Sequence, residues 1–211
     1  VLDAAASVPV ARHLALDVES PARRISLFLN PLGTDLVVIA EDKGRTITLD
    51  MLEAQYYRSA VSNPALDGHL GTVPGRLRYG RTCRDISSTI PSHLVTIHAA
   101  IAHQAVRELI ASPNASIKVW RCDPQNCAVQ PVNIKPSPGE RLERGDWTLV
   151  IDQNLRTRLD DLRASRLPNE TGGVLLGSLD LARSIIYIVD TVPSPPDSLE
   201  WPTLYVRGCE G

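Results

Sequence analysis

A segment rich in proline and glycine divides this chain of 211 residues into two parts, and each part has its own pattern of helices and strands. The segment runs from Pro131 to Gly145, and such a composition is typical of a boundary between domains. On both sides of it, apolar runs rich in β-branched residues alternate with amphipathic helices. The sequence therefore predicts an α/β fold with domains at 1–135 and 146–211, joined by a linker at 136–145.

In the first part, the apolar runs at 25–29 and 36–40 predict two strands. The alternation at 46–49 predicts a third, half-buried strand, and Asp50 is a candidate cap for a helix over 51–61. The clearest helix begins after Pro91, because apolar residues then recur at helical spacing as far as Leu109.

In the second part, residues 147–151 predict a strand and Asp152 is suited to cap the helix that follows it. Residues 172–177 form a short apolar run between glycines, which predicts a buried strand. A further strand is expected at 185–192, followed by a proline-rich loop.

Charge and hydropathy exclude two classes of partner. The net charge is −2, whereas a nucleic-acid-binding domain normally has a basic face. No apolar run approaches the roughly 18 residues that span a bilayer, so we expect neither nucleic-acid nor membrane binding. The four cysteines are not spaced like a small disulfide framework, and reduced thiols in the cytoplasm are expected.

The strongest functional motif is an acidic residue in front of a glycine-rich strand. It reads Pro-Asn-Glu-Thr-Gly-Gly-Val-Leu-Leu-Gly over 168–177, with the carboxylate at Glu170. Glycines there permit close approach of another backbone. Together with the strand at 185–190 and the Pro-Pro-Asp-Ser sequence at 195–198, this motif resembles the JAMM/MPN (JAB) metalloisopeptidases. The alternative is an exposed polar residue in a helix–strand turn.

The resemblance implies zinc chemistry that this chain does not complete. In the family, a glutamate at the position of Glu170 acts as general base for a zinc-bound water. Catalytic zinc takes three protein ligands, which the family draws from a His-x-His-Pro motif and a later Asp. No histidine follows His103 here. We therefore expect the zinc ligands to lie outside this chain, and the chain by itself to be inactive.

A second candidate residue, Cys83, lies between Arg81 and Arg84 and shortly before the Pro91 helix. Positive charges and a helix N-terminus lower the pKa of a thiol and so increase the fraction of nucleophilic thiolate. The alternative is a buried structural thiol. Residues 1–135 resemble the C-terminal part of ThiF/MoeB-type activating enzymes, in which such a cysteine accepts the tail of a ubiquitin-like protein as a thioester.

Two departures from the ThiF pattern argue against binding of ATP and magnesium by this chain. No G-x-G-x-x-G loop is present, and Ala6 stands where the family has a magnesium-binding aspartate three residues after Asp3.

Cys122 and Cys127 have no second cysteine pair, so a turn is favoured over a zinc site. The three histidines of the Pro91 helix are spaced by five, which places them on different faces.

Together the two resemblances imply a piece of a bacterial enzyme that processes a ubiquitin-like modifier, cut at both ends, with a homodimer as a further expectation. Two alternatives stay open. One is a scaffold that binds a ubiquitin-like protein without catalysis, and the other is a sulfur-transfer or cofactor-biosynthesis adenylyltransferase. A His-x-His-Pro motif beyond Gly211 would favour the enzyme.

Overall fold

A computed structural model describes residues 1–71 and 90–210, and the chain separates into two compact units, Val1–Pro136 and Ser137–Gly211. Both units combine helices with a mixed sheet, so the predicted α/β class is confirmed. None of the helices in these described ranges combines the length and apolar character that crossing a membrane requires.

The first unit contains a five-stranded sheet with strand order β1-β2-β3-β4-β5. Strand β1 runs parallel to β2, and the other neighbours are antiparallel. The elements in chain order are β1 (Leu2–Asp3), α1 (Val8–Leu16), β2 (Ile25–Leu29), β3 (Asp35–Ala40), α2 (Leu49–Ser62), a 3-10 turn (Pro64–Leu66), α3 (Ser92–Ala111), β4 (Ser116–Cys122) and β5 (Val129–Ile134).

The central strand β3 is buried at all six positions because helices cover both faces of the sheet. Val37 and Ile39 pack in the cluster that contains residues of α1 and α2, while Leu36 and Val38 pack in the cluster that contains Ala105 of α3. A strand covered on both faces requires a continuous apolar run, which residues 36–40 supply.

The segment 46–49, predicted as a strand, instead forms a loop and the first residue of α2. Two carboxylates hold this loop through backbone N–H groups. Those of Thr46 and Ile47 donate to Asp42, and that of Leu49 donates to the buried Glu41 at 2.9 Å. Backbone N–H groups of this segment are therefore hydrogen-bonded without a partner strand, and the alternation of apolar residues does not produce a strand. Asp50 lies inside the first turn of α2, and Thr48 occupies the N-cap position.

The second unit contains a four-stranded sheet with strand order β6-β7-β9-β8, in which β7 and β9 are parallel. The outer pairs β6–β7 and β8–β9 are antiparallel. The elements are β6 (Gly139–Arg144), β7 (Trp147–Asp152), α4 (Gln153–Ala164), β8 (Gly173–Asp180), β9 (Ile185–Pro193), and a hairpin of β10 (Leu199–Trp201) and β11 (Leu204–Val206).

The structure places β6 inside the segment 136–145, which was predicted to be a linker. Strand β6 pairs with β7 along its whole length. The preceding residues also belong to the second unit, because the Pro138 carbonyl accepts from Gln153 N and the Ser137 hydroxyl from Asn154 N. The prolines and glycines bound a short edge strand here, where such residues are tolerated.

Candidate active site

Glu170 lies between helix α4 and strand β8. Asp152 begins α4 as an N-cap, because its carboxylate accepts from the backbone N–H groups of Asn154 and Leu155, as the sequence predicted. A few residues beyond the helix C-cap Ser165, the chain reaches Glu170, whose backbone N–H donates to the carbonyl of Trp201 at 2.8 Å. The Glu170 side chain is exposed to solvent.

The glycines that follow Glu170 are at positions of close backbone approach. A Cβ atom at Gly173 would lie 2.7 Å from the carbonyl oxygen of Val192, and one at Gly177 would lie 2.6 Å from that of Tyr187. Distances this short are not tolerated between a Cβ and a backbone atom, so only glycine fits there. The sequence prediction of close approach along this strand therefore agrees with the geometry.

The predicted burial of this strand does not agree with the structure. Val174, Leu175 and Leu176 are all exposed, at 40%, 53% and 41%. The reason is topological, since β8 forms the edge of the sheet and has a neighbouring strand on one side only.

An open cavity of about 260 Å³ lies beside the start of β8, and Glu170 immediately precedes its lining without being part of it. Its apolar side is formed by Leu159 and Leu162 of α4 together with Leu175. Arg163 and Arg166 lie at the same cavity. The remaining lining residues are Thr171, Gly172, Gly173, Thr191, Pro193, Ser194 and Glu200.

The polar groups of this cavity are joined by short contacts. The Thr171 hydroxyl donates to Glu200 at 2.6 Å, and an Arg166 guanidinium nitrogen lies 3.6 Å from the same carboxylate. The Ser194 hydroxyl donates to the Gly172 carbonyl and lies 3.0 Å from the Tyr205 hydroxyl. Neither Glu200 nor Ser194 was recognised in the sequence as a site residue, although both belong to the predicted proline-rich loop at 193–202. The structure places Glu200 in strand β10 instead.

The same loop is closed by Asp197. Its carboxylate accepts from the backbone N–H groups of Cys209 at 2.8 Å and Glu210 at 3.1 Å, and these hydrogen bonds lower the pKa of Asp197. Ser198 adds a bond by accepting from the backbone N–H of Gly208. The Pro-Pro-Asp-Ser sequence thus has a structural role, holding residues 208–210 against the loop.

In the first unit, Cys83 lies outside the described residues, so its nucleophilic role stays a prediction. Asp3 is buried, and its carboxylate accepts from the backbone N–H of Ala5 at 2.9 Å and lies 3.4 Å from the Ser26 hydroxyl. Cys122 and Cys127 flank the turn between β4 and β5, as expected, and both are free thiols. Burial raises the pKa of Cys122, which makes it a poor nucleophile.

A buried polar chain in the first unit was not recognised in the sequence. Nδ1 of His69 lies 2.7 Å from the Asp35 carboxylate, and its Nε2 lies 2.8 Å from the Tyr56 hydroxyl. Arg121 approaches the same carboxylate at 3.4 Å, and Asn30 donates to the His69 carbonyl. His69 is 1% exposed, so it has no access to a substrate and serves to fasten the 3-10 turn to the sheet.

The described residues do not form a zinc site. Within 1–71 and 90–210, no group of three or more His, Cys, Asp or Glu side chains is arranged to hold a metal ion. The second unit also contains no histidine at all, whereas the catalytic zinc of a JAMM-type site has two histidine ligands. The donor set around Glu170 therefore does not fit zinc.

No protein-family model matches the chain, and no curated protein matches it either.

Proposed function

We propose that this chain is part of a bacterial protein that processes a ubiquitin-like modifier, with the second unit contributing the general base of a JAMM-type isopeptidase. The observation that carries the proposal is the position of Glu170. Its exposed carboxylate precedes a strand in which Gly173 and Gly177 permit close backbone contact, and its main chain is fixed by the bond to Trp201.

This position suits a proton carrier. An exposed carboxylate at the edge of a cavity can take a proton from water and return it to a leaving amine. The backbone N–H of Glu170 donates to the carbonyl of Trp201 in the β10–β11 hairpin, which fixes the main chain at this point. Glu200, the other carboxylate at the cavity, accepts a hydrogen bond from Thr171 and forms an ion pair with Arg166, so it is less suited to carry a proton. Histidine ligands for zinc would have to come from outside this chain.

The experiment uses the natural protein that contains this chain, a ubiquitin-like protein with a fluorogenic group at its C-terminus, and added zinc. Glu170→Gln is expected to lower the rate of cleavage by about 10²–10⁴-fold, which is the usual contribution of general acid–base catalysis. The zinc content is expected to stay unchanged, because the glutamate is not a ligand in this mechanism. The matched control is Glu143→Gln, a change at an exposed glutamate of β6. Cleavage that survives Glu170→Gln would reject the role.

For the first unit we propose the ThiF-type activity, in which Cys83 receives the modifier as a thioester. This proposal depends on the sequence alone. In the natural protein that contains this chain, the thiolate would take the acyl group from an acyl-adenylate and release AMP, with ATP bound by residues outside this chain. The predicted product with the ubiquitin-like protein is sensitive to reducing agent, requires ATP and is lost in Cys83→Ala. Absence of that product from the wild-type protein would reject it.

A non-catalytic scaffold is the second candidate, and the environment of Asp3 favours it. The carboxylate is buried and engaged by Ala5 and Ser26, and Ala6 replaces the expected magnesium ligand. A scaffold would bind the ubiquitin-like protein equally well with Glu170 and Cys83 both replaced, and it would show neither cleavage nor thioester formation.

We place the protein in the cytoplasm, in keeping with the free thiols of Cys122, Cys127 and Cys209.

A further inference from the structure

Strand β8 differs from the other sheet edges in the described part of the chain. Edge strands are normally protected from pairing with another chain by shortness, proline or charge. Strand β1 has only two residues, β5 contains Pro131, and β6 carries four charged side chains among its six residues. Strand β8 has eight residues, no proline, and a single charge at its last residue, Asp180.

Both faces of β8 expose apolar side chains. Val174 and Leu176 point to one face, and Leu175 and Leu179 point to the other, with exposures of 40%, 41%, 53% and 61%. The bulge between β8 and β9 does not disturb this alternation. Leu176 pairs with Asp190 and Gly177 with Ile188, so the additional residue lies on β9. An exposed, apolar edge of this length favours strand addition.

We propose that β8 pairs antiparallel with β8 of a second copy of this chain, with Gly177 at the two-fold axis. A two-fold axis perpendicular to the sheet leaves every side chain on the same face of the sheet. Two residues that lie opposite each other must therefore both be odd-numbered or both be even-numbered. Centring the pair at Gly177 then places Leu175 opposite Leu179 of the second copy, and the reverse pair forms by symmetry. Centring it at Leu176 would instead place Leu175 opposite a glycine.

The charges along the strand fit this register. Asp180 would lie opposite Val174 of the second copy, so no like charges face each other. Its carboxylate already accepts from Arg183 at 2.9 Å. The end of the second copy's β8 that carries Asp180 would approach the start of the first copy's β8. There Arg163 and Arg166 are balanced by Glu200, which lies 3.6 Å from Arg166, and by the exposed Glu170, so the charges in this region neither oppose nor strengthen the pair.

The length of the contact between the two β8 strands determines the expected affinity of the dimer. An eight-residue strand is about 27 Å long, and a contact one sheet thick over this length buries less than the roughly 1,600 Å² of a standard interface. The dimer should therefore be weak, with a dissociation constant of about 1–100 μM.

The test measures the mass of the intact 211-residue chain by analytical ultracentrifugation at concentrations from about 1 to 300 μM, which bracket that range. The wild-type chain is expected to pass from monomer to dimer. Leu175→Lys and Leu179→Glu should each weaken dimerisation at least about tenfold, because a charge would be placed against an apolar side chain. The double variant should restore it to within about threefold of wild type, since each introduced lysine would face an introduced glutamate of the other copy.

Ile110→Lys is the control, because Ile110 is equally apolar and 66% exposed but lies on α3 in the first unit. It should dimerise like wild type. Circular dichroism of every variant checks that the fold is retained. A chain that stays monomeric at the highest concentration would overturn the proposal. So would single variants that dimerise normally, or a double variant no better than the single ones.

Discussion

His69 shows how much one residue that was not recognised in the sequence contributes to the first unit. A neutral ring satisfies both neighbours at once when Nδ1–H donates to Asp35 and Nε2 accepts from the Tyr56 hydroxyl. Asp35 and Tyr56 lie 34 and 13 positions from His69 along the chain, so no local motif announces the arrangement.

His69→Ala is expected to lower the free energy of unfolding by about 3 kcal/mol, because it deprives a buried carboxylate and a buried hydroxyl of this partner. Tyr56→Phe removes only the hydroxyl and should cost about 1 kcal/mol. Urea unfolding followed by circular dichroism measures both. A smaller loss for His69→Ala than for Tyr56→Phe would contradict the arrangement.

His98 makes the stability of the first unit dependent on pH. The residue is buried on α3, its Nε2 lies 3.3 Å from the Gly33 carbonyl, and its Nδ1 has no hydrogen-bond partner among the described residues. Burial lowers the pKa of His98 below its ordinary value of 6.5, although the Gly33 carbonyl and the charge of Asp35 act in the opposite direction. The fold therefore prefers the neutral ring.

Because the folded-state pKa is the lower one, the stabilisation by neutral His98 is fully present above pH 6.5 and is lost as the pH falls below that value. Urea midpoints at a pH of about 7.5 and of about 5.5, on either side of the ordinary histidine pKa, should show a smaller decrease for His98→Leu than for wild type. His103→Leu, at an exposed position of the same helix, should behave like wild type. An equal decrease in all three proteins would argue against this role of His98.

At the scale of elements, the glycines of β8 are the positions where a small change has the largest expected effect. Gly177→Ala would place a Cβ 2.6 Å from the Tyr187 carbonyl oxygen, in the middle of the β8–β9 pair. The backbone would have to move, at a cost of more than about 2 kcal/mol. Ser178→Ala, the next residue of the same strand, should cost less than about 1 kcal/mol. Thermal unfolding distinguishes the two, and equal melting temperatures would contradict the close approach.

The elements also show where sequence patterns suffice. Strand β3 and the cap of α4 were predictable, because a run such as 36–40 and an Asp before an amphipathic helix have one local solution. The segment 46–49 was not, since its course depends on Glu41 and Asp42 binding backbone groups several residues away. The exposure of β8 was not predictable either, because an apolar run does not reveal which strand forms an edge.

At the scale of the whole molecule, the composition of 131–145 indicated two domains, and the structure divides the chain into two units between Pro136 and Ser137. The candidate site was predictable only in part. The motif pointed to Glu170, whereas Ser194 and Glu200 reach the cavity through the pairing of β8 with β9 and through the β10–β11 hairpin. Contacts between distant segments cannot be read from local patterns.

The part of the chain that the structure describes is not expected to bind zinc. The described residues hold no group suited to the metal, so a small excess of zinc is expected to shift the melting temperature of the intact chain by less than about 1 °C. A ligand that binds the folded state at about 100 times its dissociation constant would add about 2.7 kcal/mol, which corresponds to several degrees. Calorimetry with zinc and with a chelator makes the comparison, and a large shift would reveal a site that the geometry does not predict.

The bond from Glu170 N to the Trp201 carbonyl has a consequence for how such a site can be altered. The main chain that presents the carboxylate rests on the hairpin, so substitutions along 199–206 can re-aim Glu170 without touching it. Residues about thirty positions from Glu170 in the sequence therefore help to set the direction of its carboxylate.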